Sequence, residues 1–186
     1  MSTLKRSIPA EKALKRLKEG NRRFVESDSY DGDIRISRRS YTTENGQHPF
    51  AAVLTCADSR VIPEVIFSTG IGDLFVVRCA GNVVDDSTLG SMEYAVDHLG
   101  VNLVLVMGHT NCGAVIEAIK GHYDRHSLEI INDVRAGIGF ETDPYEATKL
   151  NVLNSMMLIA DDMMDDSATI VGAVYDTQSG RVEFLL

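Results

Sequence analysis

The stretch "TCADSR", residues 55 to 60, sets a thiol, a carboxylate and a guanidinium on alternate positions directly after the apolar run "AAVL". In an extended segment residues two apart point to the same side, so Cys56, Asp58 and Arg60 converge on one spot. That is an expensive arrangement for a buried strand end unless it performs chemistry. Further along, "GHTNCGAV" closes a second apolar run, and its His109 and Cys112 stand three apart, able to reach one metal from a turn that opens into a helix. With Cys56 they make two thiolates and one imidazole, a soft set suited to zinc.

Structural zinc sites are closed by four protein ligands, whereas catalytic sites have three and an exchangeable position. The fourth place here falls to Asp58, which would close the site, or to water, which would open it. Arg60 can pair with Asp58 bidentately and hold it off the metal. An open site turns water into a hydroxide nucleophile near neutral pH. Two thiolates donate charge, so the metal should be a weaker Lewis acid than a three-histidine centre, and activity should rise on the alkaline side. Redox chemistry is the poorer reading, because the three cysteines include no C-x-x-C pair.

The elements that must position these residues follow a β/α alternation. Helical spacing runs from Ala10 to Val25, and residues 27 to 48 have no clear period and read as a long irregular connection. Its length suggests that the N-terminal helix reaches away, onto a partner subunit. Strands are expected at 51 to 55, 73 to 78 and 102 to 108, the last two as continuous apolar runs buried on both faces. Asp86 and Ser87 are candidate N-caps for a helix carrying Leu89, Met92, Val96 and Leu99, and Asp143 and Pro144 open another. The chain closes with "ATIVGAVYD", a turn and "RVEFLL", an antiparallel edge strand. The fold class is therefore α/β, a central and mainly parallel sheet flanked by helices, with an extended N-terminal helical arm. Residues 1–46 form that arm and connection, and 47–186 the zinc-binding α/β catalytic domain, within one domain overall. Ligands in such sheets bind at the carboxyl ends of strands, so the two motifs should be neighbours.

The chain has 186 residues, 44% hydrophobic, with a formal charge of −9. That charge argues against nucleic acid or an anionic membrane surface as partner. No apolar run is long enough to span a bilayer, and the N-terminus shows no secretory-type core, so a cytoplasmic location is expected. Cys79 reads as a buried thiol. His48, His98, His122 and His126 have no ligand partner at a useful spacing, and the acidic run "DDMMDD" reads as a solvated helix end.

The pair "CADSR" and "HTNCGA", with "QHPFAAVLTCADSRVIPEVIF", "GDLFVVRCAGNVV", "LGSMEYAV" and "VGAVYDTQSGRVEFL" around it, resembles the β-class carbonic anhydrases over nearly the whole chain. The resemblance implies one zinc per subunit on Cys56, His109 and Cys112, with Asp58 and Arg60 orienting the nucleophile. It implies reversible hydration of CO2 to bicarbonate and a proton by zinc-hydroxide attack, in a homodimer or higher homo-oligomer. By the same matching Gln47, Phe75 and Tyr94 line a small substrate pocket shared between two subunits, and Gly113 lies close to the metal where a side chain would crowd the substrate. Some members are locked shut by bicarbonate at a remote Trp, Arg and Tyr site. Arg78 and Tyr175 match the last two, but Val53 holds the Trp position and the chain has no Trp, so that regulation is not expected. Relatives that act on COS or CS2 supply one alternative, and a non-catalytic zinc- or anion-binding scaffold with Asp58 as permanent ligand supplies another.

Overall fold

A computed structural model of the chain describes residues 7–27, 29–121, 127–163 and 168–185. In chain order the elements are α1 (Ala10–Glu26), α2 (Ile36–Asn45), β1 (Ala51–Cys56), α3 (Pro63–Ile66), β2 (Leu74–Cys79), α4 (Asp86–Glu93), β3 (Leu103–His109), α5 (Gly113–Lys120), α6 (Leu128–Ile138), α7 (Pro144–Asp162), β4 (Thr169–Tyr175) and β5 (Val182–Leu185). A one-turn 3-10 segment at Ala80–Asn82 follows β2, and a π-turn at Tyr94–His98 extends α4.

The sheet order is β2-β1-β3-β4-β5, parallel throughout except for β5, which returns antiparallel on β4. From β1 the chain moves out to β2, and from β3 it moves the opposite way to β4. The switch point thus lies between the adjacent strands β1 and β3, where a crevice opens at their carboxyl ends. Every residue of β1 and β3 is buried. Their alternation sends Val53, Leu105 and Ala173 to one face, beneath Ala13, Leu17 and Phe67, and Leu54, Val104 and Val106 to the other, beneath Met92, Val96, Val152 and Ile159.

Three expectations need correction. The segment β2 is an edge strand, half-buried along most of its length, because nothing pairs beyond it among the described residues. Residues 36 to 45 of the expected irregular connection are helical, although none of them is buried. Their sequence shows no apolar period because α2 is held from the surface, with Arg38 donating to the Ile71 carbonyl and to Asp73. The N-cap of α4 is Asp85, whose carboxylate accepts from the Thr88 amide, one residue ahead of the expected pair. Asp143 caps α7 as expected, accepting from the amides of Tyr145 and Glu146 with Pro144 next in line.

The α1 helix lies on its own sheet, with Ala13 and Leu17 fully buried. Burying Leu17 alone contributes on the order of 2 kcal/mol. The approach is so close at Gly20 that a Cβ would overlap the Phe67 carbonyl, a backbone atom that cannot swing aside. Gly20→Ala is therefore expected to lift α1 and cost about 3 kcal/mol, read as an earlier urea midpoint. An unchanged midpoint would show that α1 is not docked this tightly.

Candidate metal centre

Cys56 ends β1 and His109 ends β3, so strand pairing alone brings them to the same crevice. The next turn delivers Cys112. Asn111 takes a left-handed φ of 57°, a conformation asparagine tolerates, and this turns the chain back before α5 begins. Thr110 anchors the turn to the end of β4, since its amide donates to the Tyr175 carbonyl and its hydroxyl meets Thr177. The ligand atoms of Cys56, His109 and Cys112 lie within 4.8 Å of one another, and all three residues are buried.

The donor chemistry fits a metal. The His109 Nδ1 lies 3.0 Å from the Thr110 carbonyl, to which it donates as the Nδ1–H tautomer, leaving Nε2 with its lone pair free. Nε2 is the one buried side-chain nitrogen or oxygen without a hydrogen-bond partner among the described residues. An orphaned acceptor of this kind is costly unless an ion completes it. The pKa of the Cys56 thiol is lowered, by the Cys112 thiol first and with help from the amides of Asp58 and Gly81, against burial, which pushes the other way. Cys112 is pushed up, first by its hydrogen bond to Cys56 and then by burial. A divalent cation binding here would displace that remaining proton.

Asp58 stands beside the cluster, with Oδ2 3.9 Å from His109 Nε2. Arg60 grips both carboxylate oxygens, Nε to Oδ1 at 2.9 Å and Nη2 to Oδ2 at 2.7 Å, and Nη2 also donates to the Asn111 carbonyl. The Arg60 side chain, helped by its own amide, holds the Asp58 carboxyl well below the usual carboxylate range. Because the folded value is depressed, the pair's contribution to stability is complete above the ordinary carboxylate pKa. It is lost only as pH falls toward the folded value. Asp58 is thus ionised throughout the neutral and alkaline range and cannot itself cause a rise in rate there. Arg78 fixes the turn from below, donating to the carbonyls of Cys56 and Asp58.

The four pocket residues fall apart in a single chain. Phe75 and Tyr94 face each other with ring centroids 6.2 Å apart, and Tyr94 is 46% exposed. Phe75, however, pairs with Ala52, four residues ahead of Cys56 on β1, which is about 13 Å along a strand. Gln47 is exposed just before β1. Gly113 follows Cys112 at the metal cluster, and the space a Cβ would take there is open. Cys79 is pushed up to about 11, by burial first and then by Asp85 and Cys56, and its thiol donates to the Val83 carbonyl. It is a neutral thiol rather than a ligand. His48 is exposed and bonded to the Asn45 carbonyl, and His98 stacks near Tyr94. His122 and His126 lie outside the described residues, as does part of the acidic run at 161 to 166.

Reading the sequence missed Gly81, whose amide donates to Cys56 Sγ at 3.3 Å, and the anchoring roles of Thr110 and Arg78. Gly81 lies in the "AGN" turn after β2. No spacing rule links it to Cys56; only the strand register, Cys56 opposite Cys79, does so.

Comparison with known proteins agrees with this geometry. The family profile described as carbonic anhydrase matches residues 51–182. The chain is 37% identical to a carbonic anhydrase of Mycolicibacterium smegmatis over 92% of its length and 91% of that protein. It is 38% identical to carbonic anhydrase 2 of Mycobacterium tuberculosis, over 91% and 89%. Among solved structures, Coccomyxa β-carbonic anhydrase in complex with acetazolamide aligns with a TM-score of 0.68 at 28% identity, covering 92% of this chain and 86% of that one. No helix among the described residues is long and apolar enough to cross a membrane.

Proposed function

The chain belongs to the β-class carbonic anhydrases, and on that premise we propose that Asp58 and Arg60 are its catalytic dyad and that its active site is completed by a second copy. The family's reaction is the hydration of CO2 to bicarbonate and a proton, and the Cys56, His109 and Cys112 cluster is its zinc site. Zinc held there supplies Lewis acidity that makes water nucleophilic near neutral pH.

The observation that carries the dyad is the bidentate clamp of Arg60 on Asp58 beside His109 Nε2. An ionised carboxylate only accepts hydrogen bonds. Asp58 Oδ2 therefore takes a hydrogen bond from the attacking water and turns the oxygen lone pair toward CO2. Arg60 keeps that carboxylate charged, oriented and drawn off the metal. A purely structural site has no use for a cation competing for its fourth ligand, which weighs against the scaffold reading. Since Asp58 is ionised well below neutrality, the pH dependence must come from the attacking water, and the CO2 hydration rate is expected to rise from pH 6 to 9. A flat profile over that range would overturn this assignment. Running COS and CS2 beside CO2 in the same series tests the isosteric substrates.

Gln47, Phe75 and Tyr94 complete the substrate pocket only if they come from another subunit, because in their own chain Phe75 pairs four residues before Cys56 with Tyr94 packed against it, and Gln47 precedes β1. The half-buried apolar edge β2, "LFVVRC", and the exposed Ile34, Ile36 and Tyr41 near α2 offer surface for such a partner. Light scattering at assay concentration is expected to give a dimer or a multiple of it. A strict monomer that is fully active would contradict a shared pocket. The thiolate ligands require reduced cysteines, which favours the cytoplasm as location. Residues 1–46 are the N-terminal helical arm and connection, with α1 docked on the sheet of its own chain rather than reaching away to a partner, and 47–186 are the catalytic domain, in one folding unit.

A further inference from the structure

The helix α7 buries polar residues and leaves apolar ones exposed. Its inward face includes Asn151 and Ser155, each 2% exposed, while Leu153 and Met157 stand in solvent. An inward polar face on a helix packed against a sheet needs a partner that rewards it. That partner is the turn after β2. Asn151 Nδ2 donates to the Gly81 carbonyl at 2.7 Å, and the single Ser155 hydroxyl proton is within reach of both the Asn82 carbonyl at 3.1 Å and the Asn151 carbonyl at 3.0 Å.

Both residues of this turn are left-handed, Gly81 at φ 68° and Asn82 at φ 46°. Glycine enters this region without steric cost and asparagine is one of the few other residues that visit it, so the turn suits its sequence and what remains is to fix its direction. The turn is also pressed from outside, since a Cβ on Gly81 would come within 2.9 Å of Val134 and 3.1 Å of Ala114. What the turn delivers is the Gly81 amide, aimed at Cys56 Sγ at 3.3 Å, beside the Asp58 amide at 3.4 Å. Two amide donors stabilise charge on that sulfur and fix its direction.

We propose that Asn151 is a positioning residue of the metal centre: from the middle of α7 it fixes the Gly81 carbonyl, and through the Gly81 Cα the adjoining peptide whose Gly81 amide supports Cys56 as a zinc ligand. This rests on Cys56 binding the metal, which the zinc stoichiometry of the unaltered protein tests separately. Outer partners of metal ligands typically tune affinity by about 10- to 100-fold.

The test compares Asn151→Ala, Asn151→Leu, which keeps the volume without the donor, and Val152→Ala, a buried control on the same helix facing the sheet. Zinc affinity is measured by chelator competition at fixed pH, and the thiolate-to-metal charge-transfer band is recorded on the cobalt-substituted proteins. Both Asn151 variants should bind zinc about 10- to 100-fold more weakly and shift the band, while Val152→Ala loses stability yet keeps both. In the unaltered protein loaded with 113Cd, the Gly81 amide proton should show scalar coupling to the metal through Cys56 Sγ, a readout that needs no variant to fold. Unchanged zinc affinity in either Asn151 variant, an equal loss in Val152→Ala, or absence of the coupling would overturn the proposal.

Discussion

Asp58→Ala is expected to lower CO2 hydration by about 100- to 1000-fold while the protein keeps its full complement of zinc, the range in which a positioned proton acceptor contributes. The carboxylate makes both strong bonds to Arg60, and its Oδ2 stands 3.9 Å from His109 Nε2, beyond hydrogen-bond distance. Removing it leaves Cys56, His109 and Cys112 in place and frees the Arg60 guanidinium, which is already half exposed. Asp58→Asn keeps the shape, loses the charge and should fall nearly as far. Metal analysis and a thermal melt of the same samples decide the matter. If zinc and stability vanish along with the rate, Asp58 is a fourth structural ligand and the scaffold reading is correct.

Removing the metal with a chelator is expected to abolish activity and lower the melting temperature by about 10 °C. A ligand present at a thousand times its dissociation constant stabilises the fold by about 4 kcal/mol, and in a domain of this size each kcal/mol moves the melt by about 2–4 °C. The structural cause is that, without a metal, His109 Nε2 would stay buried with no hydrogen-bond partner beside two buried cysteine sulfurs. Cys112→Ser and Cys56→Ser should reproduce both losses. Cys79→Ser should not, because that neutral thiol points to the Val83 carbonyl. The ligands must be deprotonated to bind, so zinc affinity falls as pH falls, and calorimetry at two pH values checks the sign.

The metal ligands were legible in the sequence because they sit on the two most regular elements. Strands β1 and β3 are uninterrupted apolar runs, and a chemically rich end on each is hard to mistake once the alternation implies that they are neighbours. The same logic misjudged β2, whose apolar run suggested burial on both faces and whose half-exposure reflects its place at the sheet edge. An apolar run reports that a surface is to be covered and does not say by which chain. Helix α2 left no trace, since a helix tied down by arginines has no hydrophobic period to show. The support from Asn151 and Gly81 was invisible because its partners are 70 residues apart and a side chain there meets only a backbone carbonyl. Gln47, Phe75 and Tyr94 came from family resemblance alone, and the fold now explains why no spacing argument within one chain joins them to Cys56.

The most direct test of the zinc centre as the seat of CO2 hydration is a titration of zinc into metal-free protein, followed by stopped-flow CO2 hydration at mildly alkaline pH. The rate should climb linearly, stop at one zinc per chain, and stay with that stoichiometry when Cys79 is replaced by serine. A protein that takes up one zinc per chain and still hydrates no CO2 would contradict the account.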